Sequence, residues 1–275
     1  MKNVLAVLFS MLLVVTLVGC DSNDDDDNGD DTTQTAQVRF VHSSPDAGPV
    51  DVFLDDQEVA GDFAYSASPV NASDYLDVPV GTDATIEVRA QDGTVVNSVS
   101  VDQANLAADA RYTVIVAGAV AATTEAPEAI LLRDQFPDLG AGQIGLRLVH
   151  GSALAEDNFA NGVDVYIAEA GQDDLSGLTP LVADFTFTQD TGSRLLGTSG
   201  AFATRELSSG PQQSVYVTAA GGTQPALEVP IGQGTGELPI TEGAYVTGIA
   251  ADIPTAEGGL AVGAQAIIED APSDN

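Results

Sequence analysis

Apolar and polar residues alternate along most of the chain after residue 20. The alternating segments are rich in Val, Ile, Tyr and Thr, and they include "VRFVH", "VDVFL", "TIEVRA" and "RYTVIVAG". A period of two predicts β-strands with one buried face, because successive side chains of a strand point to opposite sides. Turn-forming clusters such as "SSPDAGP" and "QDG" separate the segments, and the pattern predicts no long amphipathic helix.

This strand pattern occurs twice, at an offset that grows only between apolar segments. The matched residues are Arg39 with Arg147, Val41 with Val149, His42 with His150, Ser44 with Ser152, Asp51 with Asp164, and Tyr112 with Tyr245. We therefore expect two domains on one scaffold, the second with longer loops. The predicted boundaries are 37–135 for the first domain, 136–142 for a linker, 143–270 for the second domain and 271–275 for a tail.

The number of strands indicates the fold class. Each copy has about seven short strands separated by turns, which is typical of immunoglobulin-like β-sandwiches. The sequence therefore predicts an all-β chain with two tandem immunoglobulin-like β-sandwich domains. Trp is absent and Cys20 is the single cysteine, so the disulfide-bonded antibody subtype is excluded and both domains must fold by packing alone.

The N-terminus has the features of an export signal. Lys2 precedes an apolar run over residues 4–18, which is shorter than the ~20 residues of a membrane span. The run ends in Leu17-Val18-Gly19-Cys20, which resembles a bacterial lipobox. This resemblance implies that residues 1–19 are a cleaved signal peptide and that Cys20 carries lipid, which would anchor the protein to the cell membrane or the outer membrane. A short transmembrane anchor is the alternative.

An acidic segment follows at residues 20–36, with the core sequence "DSNDDDDNGDD". It has no apolar run that could offset the entropy of ordering, so we expect a disordered tether. Calcium binding is the alternative, because Asp24, Asp26 and Asn28 imitate the start of an EF-hand loop. Thr35 stands where that loop needs a bidentate glutamate, so we favour the tether and predict no cofactor. Asp21 resembles an inner-membrane retention signal, but the leaflet stays open.

Charge limits the partners of the protein. The chain has 41 acidic and 8 basic residues, with a formal net charge of −33 at pH 7. Such a surface repels phosphates, so nucleic acid is not expected as a partner. The acidic residues are spread along the whole chain, which is typical of a salt-adapted, halophilic proteome.

The first copy also resembles a known family. The pattern is Arg39-x-Val41-His42-x-Ser44-Pro45-Asp46, then Val50-Asp51-Val52, a "PVGT" turn and a closing "YTVIVAG". It is similar to the family catalogued as domain of unknown function 4397, over residues 38–118. The second copy keeps Arg147 and His150 but replaces the Ser-Pro-Asp turn with "GSALAED". The resemblance implies a bacterial exported or lipid-anchored protein with β-sandwich domains, and it implies no reaction.

The two histidines of the chain occupy matching positions, at the ends of apolar strand faces. We interpret His42 and His150 as structural anchors that hold the following loops by hydrogen bonds, with binding as the sharper alternative. The same role is predicted for Ser44, Asp46, Asp51, Ser152 and Asp164. A dyad or metal site formed by His42 and Asp51 is disfavoured, because a hairpin with Val50 opposite His42 would point Asp51 to the other face.

Catalytic motifs are missing from the sequence. It has no Gly-x-Ser-x-Gly elbow, no His-Glu-x-x-His and no phosphate loop. We therefore expect a non-enzymatic, lipid-anchored cell-envelope protein with a binding, spacing or structural role. Its candidate partners are envelope proteins or glycans. The alternatives are a calcium- or glycan-binding module and an acid-pair hydrolase. The long inserts of the second copy, "LAEDNFAN" and "TQDTGSRLLGTSGAFATRE", are the candidate binding surfaces.

Overall fold

A computed structural model gives the fold of the chain between residues 34 and 269. The described ranges are 34–54, 56–66, 70–81, 84–101, 106–122, 126–159, 161–206, 212–232, 238–239 and 242–269. They belong to one compact unit. The predicted signal peptide, Cys20, the tether up to residue 33 and the tail lie outside the described residues. Within the described ranges, no helix is long and apolar enough to cross a membrane.

The first copy consists of eight strands. They are β1 (Thr35–Ser43), β2 (Val50–Leu54), β3 (Gln57–Phe63), β4 (Leu76–Pro79), β5 (Ala84–Ala90), β6 (Val95–Val101), β7 (Arg111–Ala117) and β8 (Glu128–Arg133). Two four-stranded sheets result, in the orders β4-β1-β7-β8 and β3-β2-β5-β6. β1 runs parallel to β7, whereas the other pairs are antiparallel.

The second copy repeats this topology. Its strands are β9 (Gln143–Gly151), β10 (Val163–Glu169), β11 (Val182–Phe185), β12 (Ala203–Glu206), β13 (Gln213–Ala219), β14 (Leu227–Gly232), β15 (Leu238–Pro239), β16 (Tyr245–Pro254) and β17 (Leu260–Glu269). The sheets have the orders β12-β9-β16-β17 and β11-β10-β13-β14-β15, and β9 runs parallel to β16. A short helix, α1 (Ala153–Asn158), begins one residue before the insert "LAEDNFAN" and continues into it, and a π-helix spans Gly192–Leu196.

Each copy is a sandwich because its two sheets share an apolar core. In the first copy, Val38 and Phe40 of β1 pack in one cluster with Val50 and Val52 of β2. The expected hairpin that placed Val50 opposite His42 is wrong, because β1 and β2 lie in different sheets. The period of two specified which side chains are buried, but it did not specify which strands pair.

A third apolar core joins the two copies. It is built from the other face of the long strands, with Val41 and Ile115 from the first copy and Val149 and Ile249 from the second. β1 and β9 are therefore buried on both faces, as their nearly continuous burial shows. Each such fully buried side chain stabilises the fold by about 1.5–3 kcal/mol.

The parallel strand pairs fix the true register of the repeat. Arg39 lies opposite Thr113, and Arg147 lies opposite Thr247. The equivalent of Tyr112 is therefore Val246, and the predicted match of Tyr112 with Tyr245 is wrong by one residue. One residue matters, because it reverses the face: Tyr112 packs in the core of the first copy, whereas Tyr245 packs edge-on against Phe136 and Phe202.

Candidate functional sites

His42 lies at the buried end of β1, where its ring contacts the following loop. Its Nε2 is 2.8 Å from the carbonyl oxygen of Gly48, and its Nδ1 accepts a hydrogen bond from the backbone N–H of Ser44 at 3.3 Å. These two contacts define the Nε2–H tautomer, which donates to Gly48. Burial lowers the pKa of His42, although the Gly48 hydrogen bond opposes this. The neutral ring thus spans the loop between residues 42 and 48.

His150 has the same position in the second copy but different contacts. Its ring packs between Phe185 and Phe187, as His42 packs against Phe63 and Tyr65. Both ring nitrogens of His150 are buried and have no hydrogen-bond partner among the described residues.

The surroundings of His150 explain this difference. The ring borders an apolar cavity of about 40 Å³ lined by Leu148 and Val163 among others. Where the first copy has its Ser-Pro-Asp turn, the second copy begins α1, so the imidazole meets no carbonyl group equivalent to that of Gly48. Burial lowers the pKa of His150 to about 4.

Asp51 and Asp164 each hold a bulge in the strand pair that follows. The carboxylate of Asp51 accepts the backbone N–H of Asp62 at 2.8 Å, and that of Asp164 accepts the backbone N–H of Asp184 at 3.0 Å. Asp62 and Asp184 have φ values of 51° and 50°, in the left-handed region that non-glycine residues rarely adopt. The strand register shifts at both places. Both aspartates thus contact the backbone beside a bulge.

The other predicted site residues of the first copy, Asp46 and Ser44, differ in their contacts. Asp46 accepts hydrogen bonds from the backbone N–H groups of Val120 and Ala121, at 2.7 and 2.8 Å. The hydroxyl of Ser44 is buried without a partner.

Ser152 caps α1 and pairs with a buried acid. Its hydroxyl donates to Asp252 at 2.5 Å and accepts from the backbone N–H of Ala155 at 3.0 Å. Burial raises the pKa of Asp252, although its hydrogen bonds from Ser152 and the helix backbone oppose the shift.

The arginines of the repeat form an ion-pair network between the copies, which the sequence did not reveal. Arg147 lies 2.8 Å from Asp134 of the first copy, and Arg39 lies 2.7 Å from Glu269 of the second. The Nε of each arginine donates to a threonine of its own copy, Thr113 or Thr247. Both arginines occupy matched positions of the sequence repeat. Their acidic partners could not be matched in this way, because they come from the C-terminal ends of the two copies.

This network is buried and self-complementary. The side chains of Arg147 and Asp134 have no exposed surface, and that of Glu269 is 3% exposed. Thr113 donates to Asp134, and Thr247 donates to Glu269. Each arginine therefore reaches across the interface to the acid that the other copy positions.

Tyr75 completes the network on the side of the first copy. Its hydroxyl donates to Asp134 at 2.9 Å. Burial, and then the charge of Asp134, raise the pKa of Tyr75. Burial disfavours the charge on Arg39, but Glu269 outweighs it with help from Tyr75 and Asp134 and raises the pKa of Arg39.

The loops after β3 and β11 cross to the opposite copy. Tyr65 donates to the carbonyl oxygen of Asp252 at 3.4 Å, and the carbonyl of Ser66 accepts from Gln265 at 3.1 Å. In the other direction, the hydroxyl of Ser199 donates to the carbonyl oxygen of Leu131 at 3.4 Å, and a Cβ at Gly200 would collide with the backbone of Arg133. Within the candidate binding insert 188–206, residues 190–192 and 200–202 are buried, whereas residues 193–197 are exposed.

The end of that insert borders an open cleft in the second copy. The cleft has a volume of about 550 Å³ and lies between Ile144 and Leu146 on one side and Ile167, Leu181 and Ile231 on the other. An adjoining recess of about 490 Å³ shares two lining residues with it, Leu181 and Arg205. Arg205 was not predicted as a site residue.

The described residues also bear on metals and paired acids. Among them, no group of three or more His, Cys, Asp or Glu side chains is placed to hold a metal ion. Asp252 is a carboxyl group whose pKa is raised, as an acid in a catalytic pair would need. Its side chain is buried beside Ser152 and is not open to a cleft. In the same part of the chain, no hydrogen bond or ion pair joins His42 to Asp51.

The family comparison identifies a domain in the first half of the chain. Residues 36–166 match the family described as "Domain of unknown function (DUF4397)". The match covers the first copy and continues into β10, and it includes residues 38–118, where the sequence resembles that family. The rest of the second copy lies outside the match. Comparison with curated proteins finds no match to the sequence.

Two solved structures illustrate what the fold is similar to. One is a carbohydrate-binding module of family CBM26 from Eubacterium rectale Amy13K in complex with maltoheptaose; it is 10% identical, with a TM-score of 0.24, over 86% of this chain and 98% of that chain. The other is a family 41 module from streptococcal virulence factors, described for α-glucan recognition; it is 14% identical, with a TM-score of 0.21, over 70% of this chain and 84% of that chain. Likeness at these TM-scores carries no conclusion about function.

Proposed function

We propose that the chain is an exported, lipid-anchored protein of the cell envelope whose two sandwiches act as one rigid, non-enzymatic module that binds or spaces other envelope components. The observation that carries the proposal is the buried, reciprocal pairing of Arg39 with Glu269 and of Arg147 with Asp134. Separating the copies would leave these four charged side chains without their ion-pair partners, and this is unfavourable.

The duplicated architecture supports a shared role for both copies. The second copy repeats the strand order of the first, so we take it to be a diverged copy of the same immunoglobulin-like domain. Its loop after β11 contacts the first copy, because the hydroxyl of Ser199 donates to the carbonyl oxygen of Leu131. A rigid body on an acidic tether of residues 20–36 would present one fixed surface at a distance from the membrane.

Lipidation is tested by expressing the full chain in a bacterium with an alkyne analogue of palmitate. We expect the wild type to be labelled and to sediment with the membrane fraction, and Cys20→Ser to be unlabelled and soluble. Ser22→Ala is the matched control and should behave like the wild type. Membrane association of Cys20→Ser would favour a transmembrane anchor, and an unlabelled, soluble wild type would refute the proposal.

Ligand addition to the purified protein separates the proposal from its alternatives. A rise in melting temperature with millimolar calcium, beyond that with sodium chloride of equal ionic strength, would favour a calcium-binding module. Saturable binding of maltoheptaose would favour a glycan-binding module. The acid-pair hydrolase predicts release of reducing sugar from an envelope polysaccharide, and we expect none.

A further inference from the structure

The open cleft of the second copy contains a cation that the scaffold does not require. In the pairing of β12 with β9, Arg205 lies opposite Ile144 and Ala203 lies opposite Leu146. Residues directly opposite in a strand pair share a face, so the side chain of Arg205 is on the inward face of the sheet with Ile144 and Leu146. Glu206, the next residue, is on the other face by this alternation, and it lines the edge of the same cleft.

The first copy shows what this position normally contains. In the equivalent strand pair, Val78 of β4 lies opposite Ala36 of β1. Val78 is 3% exposed and belongs to the core cluster of its sandwich. An apolar residue therefore suits the position, and Arg205 is a departure from the scaffold of the duplicated domain.

Arg205 also lacks the partners that other arginines of the chain have. Arg39, Arg89 and Arg147 form ion pairs with carboxylates. Arg111 donates to the side chain of Gln37, and Arg194 donates to the carbonyl of Ala183.

In contrast, the Nε of Arg205 is buried and has no hydrogen-bond partner within the described ranges. The chain has 41 acidic residues, yet none of the described ones forms an ion pair with this inward-facing arginine. Such a group is costly unless something satisfies it, and a departure of this kind is typical of a functional position.

The walls of the cleft indicate what could satisfy this arginine. Ile144, Ile167, Leu181 and Ile231 supply an apolar lining. Leu195 and Leu196, which line the adjoining recess, are 39% and 51% exposed. Apolar side chains beside an arginine that has no ion-pair partner among the described residues fit a ligand that is apolar with one negative charge.

We propose that this cleft binds a small amphiphile with an apolar chain and a single anionic head group, a carboxylate or a phosphate. The head group pairs with the guanidinium of Arg205, which suits both anions because it can donate two parallel hydrogen bonds. The apolar chain lies along Ile144, Leu181 and Ile231. A neutral sugar fits less well, because the aromatic residue among the described lining side chains, Phe202, is already stacked on Phe136.

Titration of the full-length protein with decanoate tests the proposal, with calorimetry as the readout. Decyl phosphate in a second titration distinguishes the two head groups, and 1-decanol supplies the same chain without charge. We expect decanoate or decyl phosphate to bind saturably with one site, and 1-decanol to bind at least about tenfold more weakly. Arg205→Leu should weaken binding of the anion by about tenfold or more and leave 1-decanol unchanged.

Arg133→Leu is the matched control, because Arg133 is exposed on β8 and outside the cleft. It should bind the anions like the wild type. Arg205→Gln is a second variant in case Arg205→Leu does not fold, and it should also lose anion binding. Equal affinity of the wild type and both Arg205 variants would overturn the proposal.

A different structural role for Arg205 gives a different result. An inward-pointing charge on an edge strand can prevent edge-to-edge association of sheets. If this is its role, the wild type will bind none of the three compounds, and Arg205→Leu will form dimers or larger species in sedimentation. That combination would also refute the proposed binding site.

Discussion

Arg39 and Arg147 are matched residues of the repeat, and each is placed where its charge needs an acid from the other copy. Arg147 is the more demanding case, because its side chain is fully buried with Asp134 and near Glu269. Taking charges out of water costs several kcal/mol per ion, and only close partners with good geometry compensate for this cost. The arginine is thus a specificity element for docking of the two copies.

Replacing Arg147 with methionine should therefore be strongly destabilising. Arg147→Met leaves the carboxylate of Asp134 buried without its closest cation, so we expect the free energy of unfolding to fall by about 3–5 kcal/mol. Urea unfolding followed by circular dichroism measures it. Arg133→Met, at an exposed arginine of β8, is the control and should change stability by less than about 0.5 kcal/mol. Equal losses in the two variants would contradict the assigned role of the network.

His150 should make stability depend on pH. Burial holds its folded-state pKa at about 4, whereas an unfolded histidine titrates near 6.5. Between these values the unfolded state takes up a proton that the folded state does not, so stability falls as the pH drops from 6.5 to 4. The full effect is about 3 kcal/mol. Above pH 6.5 the group contributes no pH dependence.

His150→Leu isolates this effect from the other titrating groups. The variant should lose the pH dependence due to His150, and at pH 7 it should be as stable as the wild type or more so, because an unpaired buried polar group is removed. Urea unfolding of both proteins at pH 7, 6, 5 and 4 gives the difference. Parallel stability curves for the two proteins would exclude the depressed pKa.

The two copies share a β-bulge at equivalent places in their strands. In each copy, an aspartate of β2 or β10 holds the backbone of the next strand where an Asp-Phe pair turns inward. Asp164 also accepts the backbone N–H of Gly221 at 2.8 Å and is 4% exposed, whereas Asp51 is half-buried. The aspartate therefore holds the bulge of the second copy with more backbone hydrogen bonds and with less exposure to solvent.

Removing these carboxylates should show the difference between the copies. Asp164→Ala leaves two backbone donors without their acceptor, and we expect a loss of about 2–3 kcal/mol. Asp51→Ala should lose less, about 1 kcal/mol, because solvent can replace the carboxylate. Thermal unfolding of the two variants measures both losses. A larger loss for Asp51→Ala would show that the bulges are held in another way.

At the scale of the molecule, the described part of each copy has its own sandwich core, and a further apolar core belongs to both copies. Its buried strands, β1 with β7 and β9 with β16, are the central pairs of their sheets. Unfolding one copy would expose this shared core and the ion pairs within it. The two sandwiches should therefore unfold as one cooperative unit.

Hydrogen exchange followed by mass spectrometry tests this cooperativity. The slowest amides of β7 and of β16 should open with the same free energy, equal to that of global unfolding. Arg39→Met should lower both values by the same amount, because it weakens the contact that the copies share. A lower opening free energy for β7 alone would show that the first copy unfolds independently.

The sequence indicated the strands, their buried faces and the duplication, because these depend on residues close together in the chain. Val38 and Phe40 of β1 alternate with Arg39 and Val41, and the period of two assigns each pair to one face whatever the strand's neighbours are. The repeated His42 and His150 could also be placed at strand ends from this pattern. Their different hydrogen bonds could not, because these depend on the conformation of the following loops.

Long-range pairing decided everything that depends on which segments meet. Arg39 pairs with Glu269, and Val41 packs in one apolar core with Val149, only because two sheets from different copies stack face to face. The position of Arg205 in the wall of a cleft likewise follows from its place on an edge strand opposite Ile144. Periodicity in a sequence records whether a side chain faces inward or outward, but many pairings satisfy the same pattern. The packing of complete sheets selects one of them.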